Sequence, residues 1–446
     1  MATYLTRTQV TGSNRKIGTV SMWIKKTENS SGHEQYLFHS WNDGNNRFMI
    51  ALQGDDTLQV RERSGGSTTL QIDTNRKFRD VNSWYHIVVR VDTTQGTAAD
   101  RIRIYVNGVQ ETSFSGASYP SQNLDLRMGT SDYTFYLGEY GGGGNNFSGA
   151  ASHWHFADGQ SYAPTVFGNT DSTTGSWDLN TSPSVTYGNN GFFLFKDDNS
   201  VNDDSGEGHN FTLASGTLTK TEDCPSNIFA TVNSLLGSNL IGSTVTFAAG
   251  NTNVEDPSGS ASGVNPYFIS TLAMPSKGKF YCELKPNSFS TSSGHSIGIF
   301  RTSYGNTSDI TSSSNRIRYI FADTAYYTNK YGSNFQTGLT AISSGDIVGM
   351  AFDLDNGTLQ YYVNGVARGN QITGVSSAND GYDYFFFASL ESSSSGRYGR
   401  YYWNFGNGYF ATTAVSSAGT NASGLGVFEY DVPTGYTALC TKGLNL

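Results

Sequence analysis

Acidic residues on predicted strands are the groups in this sequence that could hydrolyse a glycosidic bond. A retaining glycosidase needs two carboxyl groups about 5–5.5 Å apart, which on one strand means acidic residues at alternate positions. The four candidates each stand alone on a predicted strand: Glu62, Glu139, Glu283 and Glu391. Asp353 and Asp355 alternate, but they fall in an Asp-x-Asp-Asn-Gly turn, where Asp side chains bind the backbone. The sequence therefore disfavours hydrolysis, and we expect no catalytic residue and no enzymatic activity.

Two histidines and one acidic tract are the groups that could bind a metal. His153 and His155 flank Trp154 on a predicted strand, so their side chains share a face, but the sequence places no further ligand beside them. We expect surface or sheet-packing histidines. Residues 197–206 form the densest acidic tract, whose natural ligand would be calcium, yet they do not follow the register of an EF-hand loop. A solvated acidic turn is favoured; calcium is left open without assigned ligands, and no cofactor is expected.

Aromatic residues beside amides and carboxylates in turn-rich stretches are candidate binding groups. A saccharide offers C–H faces to aromatic rings and hydroxyls to polar groups. We expect three loops of this kind. The candidate residues are Trp41, Asn42, Asp43, Asn45 and Asn46 in the first, Tyr133, Tyr140 and Asn145 in the second, and Tyr326, Tyr327 and Tyr331 in the third. The same residues would suit a subunit interface, where Tyr and Trp are enriched, and the sequence favours neither use.

The elements that position these groups are β-strands, and one hairpin unit occurs twice. Residues 84–109 and 346–366 each contain a β-branched or aromatic run, a polar turn, a second such run and the sequence Tyr-Val-Asn-Gly-Val. Asn-Gly favours a type I′ turn because both of its central residues need a positive φ. Each copy therefore predicts the central hairpin of an antiparallel sheet, followed at once by another turn. Two copies predict two β-domains, at 1–222 and 223–446.

The remaining chain predicts an all-β fold of two antiparallel β-sandwich (jelly-roll) domains in tandem. Strand patterns recur roughly every 8–12 residues between turn signals, which is typical of sandwiches. Val20, Met22 and Ile24, for example, alternate with polar residues. Residues 157–235 form a turn-rich bridge in which 191–196 is a strand expected to return to the first sheet. Short helical turns are expected at 164–167 and 228–231.

Composition and charge disfavour several classes of protein. Aromatic residues make up 13% and charged residues 15% of the chain, which is not the composition of a disordered protein. The net charge of −9 without a Lys/Arg cluster disfavours nucleic-acid binding. No apolar run approaches the roughly 18–20 residues that span a bilayer, and the first residues lack a signal-peptide pattern. We expect synthesis in a cytoplasm without membrane insertion. The three cysteines form no C-x-x-C pair, which disfavours a disulfide framework or a zinc site.

The two halves resemble different β-sandwich families. Residues 21–25 (SMWIK), 84–89 (WYHIVV) and 103–108 (RIYVNG) are similar to the laminin-G-like or concanavalin-A-like lectin/glucanase family, whose two antiparallel sheets form a curved jelly roll. The second half resembles a SPRY (B30.2-like) domain in the following segments: 278–283, 346–365, 403–406 and 433–439. Laminin-G-like domains often carry calcium on loops at the sheet rim, but those positions do not match here.

The combination of the two domains resembles virion proteins of tailed bacteriophages, particularly marine ones. The first half contributes residues 79–80 (RD), 84–86 (WYH), 156–160 (FADGQ) and 191–195 (GFFLF) to this resemblance. It implies a non-enzymatic structural protein of the virion, made in the host cytoplasm, that serves as a tail fibre, tail tip, knob or capsid decoration. Its expected partners are other virion proteins and a host-surface glycan or receptor, in a homo-oligomer or symmetric assembly. Since no stem precedes the first strand, we expect a compact appendage and not a long fibre.

Two alternatives stay open at this point. A glucanase-type enzyme would require two carboxylates about 5–9 Å apart in a cleft. A cellular adaptor would use the SPRY-like domain to bind a peptide loop. The sequence determines neither the glycan, the host receptor, the position on the virion nor the oligomeric state.

Overall fold

The computed structural model describes residues 3–28, 32–236, 245–257, 265–290, 294–303, 310–321, 326–376, 380–391 and 398–445. The chain divides into two compact units, Met1–Lys220 (unit 1) and Thr221–Leu446 (unit 2); the predicted boundary lies two residues further along. The described residues form β-strands and short 3-10 turns without an α-helix, which confirms the predicted all-β class. Within the ranges just given, no helix has the length and apolar character required to cross a bilayer.

Unit 1 is built from β1 to β16. These are β1 (Tyr4–Thr8), β2 (Ile17–Lys26), β3 (Gln35–Asp43), β4 (Asn46–Leu52), β5 (Thr57–Ser64), β6 (Ser67–Lys77), β7 (Trp84–Asp92), β8 (Ile102–Val106), β9 (Val109–Gln110), β10 (Phe114–Ser118), β11 (Thr134–Leu137), β12 (Gly149–Asp158), β13 (Gly168–Thr170), β14 (Trp177–Leu179), β15 (Phe192–Leu194) and β16 (Thr212–Ser215).

Two antiparallel sheets enclose the core of unit 1. The eight-stranded sheet has the order β10-β6-β5-β4-β3-β11-β1-β16, and the six-stranded sheet has the order β15-β12-β2-β7-β8-β9. Met22 and Ile24 of the six-stranded sheet belong to the same buried cluster as Phe48 and Ile50 of the eight-stranded sheet. Complete burial of such a side chain stabilises the fold by about 1.5–3 kcal/mol. The alternation along β2 thus correctly predicted that Val20, Met22 and Ile24 face the core.

The bridge between the predicted domains contains one confirmed and one wrong prediction. β15 returns to the first unit as expected and pairs with β12, and a 3-10 turn forms at Pro164–Val166. The helical turn predicted at 228–231 is wrong. Ala230 N–H instead donates to Leu439 O at 2.9 Å, and Phe229 forms a bridge with Cys440. Pairing with the distant end of the chain overrides the local preference.

Unit 2 is built from β17 to β32. These are β17 (Thr246–Ala248), β18 (Asn253–Asp256), β19 (Tyr267–Ile269), β20 (Lys279–Phe289), β21 (Gly294–Ser303), β22 (Arg316–Phe321), β23 (Tyr327–Lys330), β24 (Ser333–Thr337), β25 (Val348–Asp353), β26 (Thr358–Val363), β27 (Val366–Thr373), β28 (Tyr382–Glu391), β29 (Gly399–Asn404), β30 (Tyr409–Phe410), β31 (Thr413–Ala414) and β32 (Thr437–Ala438).

Unit 2 also places its core between two sheets. One has the order β17-β18-β29-β20-β25-β26-β27, with β32 added beside β20, and the other has the order β19-β28-β21-β22-β23-β24. The strands pair antiparallel except for β32, which runs parallel to β20. Phe352 of the first sheet and Ile299 and Phe386 of the second lie in one buried cluster.

The repeated hairpin adopts the same conformation in both units. β7 pairs with β8 and β25 pairs with β26, and the Asn-Gly turn follows in each copy. Asn107 and Asn364 have φ of 48° and 50°, and the glycine after each has φ of 77°. Asn107 Oδ1 accepts the N–H of His86 at 2.8 Å, and Asn364 Oδ1 accepts the N–H of Ile347 at 2.9 Å. This confirms the predicted turn. In each copy the asparagine side chain also fixes the turn by a hydrogen bond to the backbone at the start of the hairpin, which we call the side-chain lock.

Replacing Asn364 by alanine is expected to lower the free energy of unfolding of unit 2 by about 1–2 kcal/mol. The substitution removes the hydrogen bond to the Ile347 N–H. It also places alanine, which adopts a positive φ less readily than asparagine, at a φ of 50°. Chemical denaturation monitored by hydrogen exchange of unit 2 peptides measures the effect. Asn370→Ala is the control, because Asn370 is exposed on the same hairpin's last strand. Equal stability of the two variants would contradict a role for the lock.

Candidate functional site

Two of the aromatic residues predicted in the first half, Trp41 and Tyr140, meet on the outer face of the eight-stranded sheet. Along β4, Phe48 and Ile50 point into the core, so Arg47 and Met49 point away from it. On that outer face Met49 and Tyr36 form a buried cluster against which Tyr140 packs. The face therefore has its own small apolar centre, separate from the core of the sandwich.

A glycine-rich loop, residues 138–147, brings Tyr140 onto this face. The loop is fastened to β3, where Tyr36 N–H donates to Asn145 O at 3.1 Å, and it closes on itself because Gly144 N–H donates to Glu139 Oε1 at 3.2 Å. A Cβ on Gly141 would lie 2.3 Å from the indole of Trp41. Only glycine permits this close approach of the loop backbone to the ring.

Four rings form the aromatic cluster of the outer face: Tyr36, His39, Trp41 and Tyr140. The Tyr140 centroid lies 4.9 Å from Trp41, 5.1 Å from Tyr36 and 5.4 Å from His39. Arg47 closes the cluster on one side, since its Nη1 donates to the Tyr140 hydroxyl at 2.8 Å and its guanidinium lies 5.9 Å from the Trp41 ring centroid. Trp41, Tyr140 and Arg47 are half-buried, so each keeps part of its surface in solvent.

His39 is a neutral member of the cluster. Burial lowers the pKa of His39 well below its usual range, and the positive charge of Arg47 lowers it further. Its Nδ1 accepts the N–H of Gly141 at 3.0 Å, so the neutral ring carries its proton on Nε2. The ring therefore orients the loop at neutral pH without adding charge to the face.

Three arginines lie side by side on this face, on β4 and β5. Arg47 is directly opposite Arg63, and Arg61 is opposite Met49. Arg63 holds the two neighbouring hairpin turns, because it donates to Gly44 O at 3.1 Å and to Gly66 O at 2.6 Å. The sequence analysis missed these arginines and His39. The three arginines alternate with the core residues of β4 and β5. This alternation could have indicated that they share the outer face of the sheet.

The stretch 41–46 is not the loop that was predicted. β3 continues to Asp43 and β4 begins at Asn46, which leaves a turn of only two residues, Gly44 and Asn45. The Asp43 carboxylate accepts the N–H of Asn45 at 2.7 Å and Nδ2 of Asn46 at 3.2 Å, and the first of these bonds is the main cause that lowers the pKa of Asp43. Asn42 Nδ2 donates to Asp43 as well, at 3.1 Å. These polar side chains hold the turn beside the aromatic cluster.

Asn145 lies close to the cluster, whereas Tyr133 does not contact it. Asn145 Nδ2 lies 3.5 Å from Glu34 Oε2, and the same carboxylate oxygen accepts the Tyr36 hydroxyl at 3.0 Å. Tyr133 precedes β11 and its carbonyl accepts the N–H of Gln9 at 2.7 Å. Among the described residues no ring contact connects Tyr133 with the cluster.

The predicted tyrosines of unit 2 do not form a loop platform. Tyr327 lies in β23, which pairs with β22 and β24, and Tyr326 packs partly buried against the core. Tyr331 donates its hydroxyl to Val375 O, and burial raises its pKa. The guanidinium of Arg301 lies 3.7 Å from the ring centroid of Tyr331 and 4.3 Å from that of Tyr382. The expectation of a loop is wrong for Tyr327, because sheet pairing continues through 327–330, whereas Tyr331 lies in the turn between β23 and β24.

The carboxyl groups considered for catalysis that the structure describes are either buried or bonded to a turn. Glu62 is completely buried and has no hydrogen-bond partner within the described chain, so burial raises its pKa to about 8. Glu283 is also completely buried, and burial raises its pKa to about 7. Asp353 accepts the N–H of Asn356 at 2.9 Å and pairs with Lys279 at 2.9 Å, as the turn motif predicts. The side chain of Glu391 lies outside the described residues.

His153 and His155 pack against the six-stranded sheet. The His155 ring stacks on Phe193 with 4.0 Å between centroids and its Nδ1 bonds the Tyr187 hydroxyl at 2.9 Å. Burial lowers the pKa of His155 well below its usual range and that of His153 to about 4. Both rings are therefore neutral at pH 7, and the prediction of sheet-packing histidines is confirmed.

The acidic tract is tied to the backbone around it. Asp203 Oδ1 accepts the N–H of Phe193 at 2.8 Å, and Asp203 Oδ2 accepts the N–H of His209 at 2.9 Å. Asp198 accepts the N–H of Ser200 at 2.8 Å. In the part of the chain that the structure describes, no three His, Cys, Asp or Glu side chains are grouped as metal ligands. Asp203 thus acts as an anchor for the loop beside β15.

Comparison with known proteins identifies the fold of the first unit. Residues 2–159 match a laminin G-type family model described as the concanavalin A-like lectin/glucanases superfamily. Unit 1 has a concanavalin A-like fold. The aromatic cluster and the three arginines lie on the eight-stranded sheet of this concanavalin A-like unit. No curated protein sequence matches the chain.

Solved structures with limited similarity include SPRY domains and a pentraxin. The SPRY domain of human HERC1 is 14% identical, with a TM-score of 0.27, over 34% of this chain and 87% of that one. The TRIM65 PSpry domain is 13% identical, with a TM-score of 0.29, over 39% and 91%. A heptameric SAP-like pentraxin from Limulus polyphemus is 20% identical, with a TM-score of 0.26, over 36% and 71%.

Proposed function

We propose that this chain is a non-enzymatic binding protein and that the outer face of its concanavalin A-like unit binds a saccharide. The aromatic cluster with Arg47 carries this proposal. Trp41 and Tyr140 offer partly exposed ring surface to the C–H face of a sugar, and Arg47 provides N–H donors for its hydroxyls. The Gly141 contact with Trp41 and the hydrogen bond of Arg47 to Tyr140 fix these groups before a ligand arrives, which reduces the entropy lost on binding.

The loop that carries Tyr140 leaves room for a ligand. Gly143 and Gly144 have φ of 91° and 80°, and no atom lies within 4 Å of the position that a Cβ would occupy on either residue. Loops at the rim of a rigid sheet are common binding elements. In this proposal Trp41 of the sheet and Tyr140 at the start of the loop are the fixed aromatic groups, and the tip of the loop adapts to the sugar.

A binding role suits the carboxyl groups better than catalysis. Glu62 and Glu283 are completely buried, Asp353 holds a turn, and Asp203 holds a loop. A glycosidase needs one carboxyl group to protonate the leaving oxygen and a second to attack or to activate water. Glu62 and Glu283 are out of contact with solvent, and Asp353 and Asp203 would have to release the backbone N–H groups that they accept.

We further propose that the protein is carried on the virion of a tailed bacteriophage, where it attaches the particle to a host-surface glycan or contacts other virion proteins. The sequence resemblance of the tandem lectin-like and SPRY-like halves supports this assignment. A symmetric assembly would present many copies of the outer face. Weak binding at each copy would then give strong attachment, since linked sites raise the effective concentration of one another.

Replacing Trp41 by alanine is expected to weaken saccharide binding at least tenfold, because an aromatic anchor at the centre of a contact typically contributes more than 1.4 kcal/mol. The measurement is binding of the full chain to an array of immobilised glycans, followed by titration of the best ligand. Trp41→Phe, which retains a ring, should recover part of the affinity. Phe335→Ala removes another exposed aromatic residue, from unit 2, and is the control. A folded Trp41→Ala protein that binds as tightly as the wild type would refute the proposed site.

Localisation on assembled particles by immunogold or cryo-electron microscopy tests the virion assignment. Density at the tail or at fibre tips supports host attachment, and density on the capsid lattice supports decoration or subunit contacts. Absence of the chain from purified particles overturns the assignment and favours the cellular adaptor.

A further inference from the structure

The three arginines of the outer face have no carboxylate partner. Arg47 and Arg63 face each other directly across β4 and β5, and Arg61 lies one pair further along the same face. Like charges that face each other across a strand pair are destabilising. Within the described chain no Asp or Glu oxygen forms an ion pair with any of the three.

Some other arginines of unit 1 have carboxylate partners. Arg103 lies 2.8 Å from Asp100 and Arg76 lies 2.5 Å from Glu111. The chain as a whole is acidic, with a net charge of −9, so carboxylates are abundant elsewhere. What distinguishes the outer face is that three adjacent arginines of this acidic chain lie there without an ion pair in the described structure.

The nearby carboxylate Asp73 does not neutralise the group. Asp73 is opposite Gln59 on the adjacent strand β6, and therefore on the same face as Arg61. Its oxygens accept Nε2 of Gln59 at 2.6 Å and Nε2 of Gln71 at 2.9 Å. These amides hold Asp73 without an ion pair to Arg61.

Most of the hydrogen-bonding capacity of two guanidinium groups is unused by the protein. A guanidinium has five N–H groups. Arg47 uses one for the Tyr140 hydroxyl, and Arg61 uses one for Thr68 Oγ1 at 3.2 Å. The Nε atoms of both are buried without a partner in the described structure. Both residues are half-buried and keep part of their surface in solvent.

We propose that the outer face is selective for anionic saccharides, and that Arg47 and Arg61 bind a carboxylate or sulfate group of a sugar whose ring lies against Trp41 and Tyr140. This inference rests on the proposed saccharide-binding function and names its ligand class. Guanidinium groups bind carboxylates and sulfates through paired N–H donors, and a bound anion would relieve the repulsion between Arg47 and Arg63. The buried neutral ring of His39 adds no charge of its own, so the preference for anions comes from the arginines.

The test is affinity electrophoresis of the full chain through gels that contain polygalacturonate, dextran sulfate or neutral dextran. Retardation by polygalacturonate or by dextran sulfate, with weaker retardation by dextran, is expected, and the two acidic polymers distinguish a carboxylate from a sulfate ligand. The double variant Arg47→Gln/Arg61→Gln should lose at least tenfold in affinity for the acidic polymer. Arg103→Gln removes a positive charge from another strand of unit 1 and should bind as the wild type. Arg47→Lys/Arg61→Lys should recover less than half of the loss, because lysine lacks the paired donors.

The outcomes separate this inference from the function on which it rests. Equal retardation by dextran and by the acidic polymers, lost in Trp41→Ala, overturns the anion preference and keeps saccharide binding. Retardation by no polymer and no glycan overturns both. Binding of a single-stranded oligonucleotide as tight as that of the acidic polymers overturns the saccharide class. Unchanged binding by the folded double variant refutes the assignment.

Discussion

Replacing Glu283 by alanine is expected to lower the free energy of unfolding of unit 2 by about 3–5 kcal/mol, as removal of one partner from a buried hydrogen-bonded charge does. The Glu283 carboxylate accepts the backbone N–H groups of Glu429 and Tyr430, each at 2.9 Å. It also accepts the Tyr281 hydroxyl and Nδ2 of Asn404, each at 3.3 Å. One buried side chain thereby fastens residues near the end of the chain to β20.

The same hydrogen-bond network includes Asn404, in the segment Trp403-Asn404-Phe405-Gly406. Asn404 Oδ1 accepts the N–H of Gly406 at 2.9 Å and that of Gly408 at 3.2 Å, and its Nδ2 donates to Val427 O at 3.0 Å. Glu283 and Asn404 together form hydrogen bonds with backbone groups of residues 406–408 and 427–430. Alanine at 283 leaves two N–H groups without an acceptor, and each such group costs roughly 1–3 kcal/mol.

Hydrogen exchange of peptides from residues 425–432, together with chemical denaturation, measures this loss. Glu255→Ala is the matched control, because Glu255 pairs with Arg400 in a more exposed position and an ion pair of that kind contributes at most about 1 kcal/mol. Glu283→Gln keeps one acceptor and should fall between the two. Stability of Glu283→Ala equal to that of Glu255→Ala would show that the carboxylate does not anchor the segment.

Replacing Glu62 by glutamine is expected to stabilise unit 1 at pH 9 by roughly 2–5 kcal/mol, with little change at pH 4. Burial raises the pKa of Glu62 in the folded unit from 4.5 to about 8. The folded unit therefore holds a proton that the unfolded chain has released, so stability is complete below pH 4.5 and falls as the pH rises towards 8. A shift of that size corresponds to at most about 5 kcal/mol. Glutamine cannot ionise and removes this loss.

The pH dependence of thermal or urea unfolding checks the Glu62 prediction. Glu207→Gln, at an exposed position of unit 1, is the control and should follow the wild type at every pH. The difference between Glu62→Gln and the wild type should appear between pH 4.5 and 8 and then level off. A difference that is the same at pH 4 and pH 9 would mean that Glu62 has the same pKa in the folded unit and in the unfolded chain, and would contradict the prediction.

The outer faces of the two sheets of unit 1 differ in a way that bears on function. On the six-stranded sheet, Trp177 from β14 donates its Nε1–H to His86 Nδ1 at 2.9 Å, and Phe167 packs on Val88 and Tyr105. Residues of the chain segment that follows β12 thus cover this face. On the eight-stranded sheet the 138–147 loop supplies Tyr140, while Arg47 and Arg61 stay partly exposed. The outer face of the eight-stranded sheet therefore offers partly exposed aromatic and arginine side chains to a ligand.

The sequence by itself determined the features that depend on neighbours along the chain. The alternation in β2 identified its buried face, and the two Asn-Gly turns formed as expected because a positive φ is a local requirement of the residue pair. The turn with Asp353 was likewise visible, since Asp binds the backbone a few residues away. The same local patterns identified Trp41 and Tyr140 as candidates, but they could not show that the two rings touch.

Only the tertiary structure decided what lies side by side. Trp41 and Tyr140 meet because a loop after β11 folds over β3, and Arg47 faces Arg63 because β4 and β5 pair in one particular register. Burial of Glu62 and Glu283 likewise depends on how the sheets pack. Contacts between residues distant in sequence arise from the global packing of the sheets, and a periodic pattern contains no information on which strands become neighbours. The chemistry of the outer face is therefore a property of the folded unit.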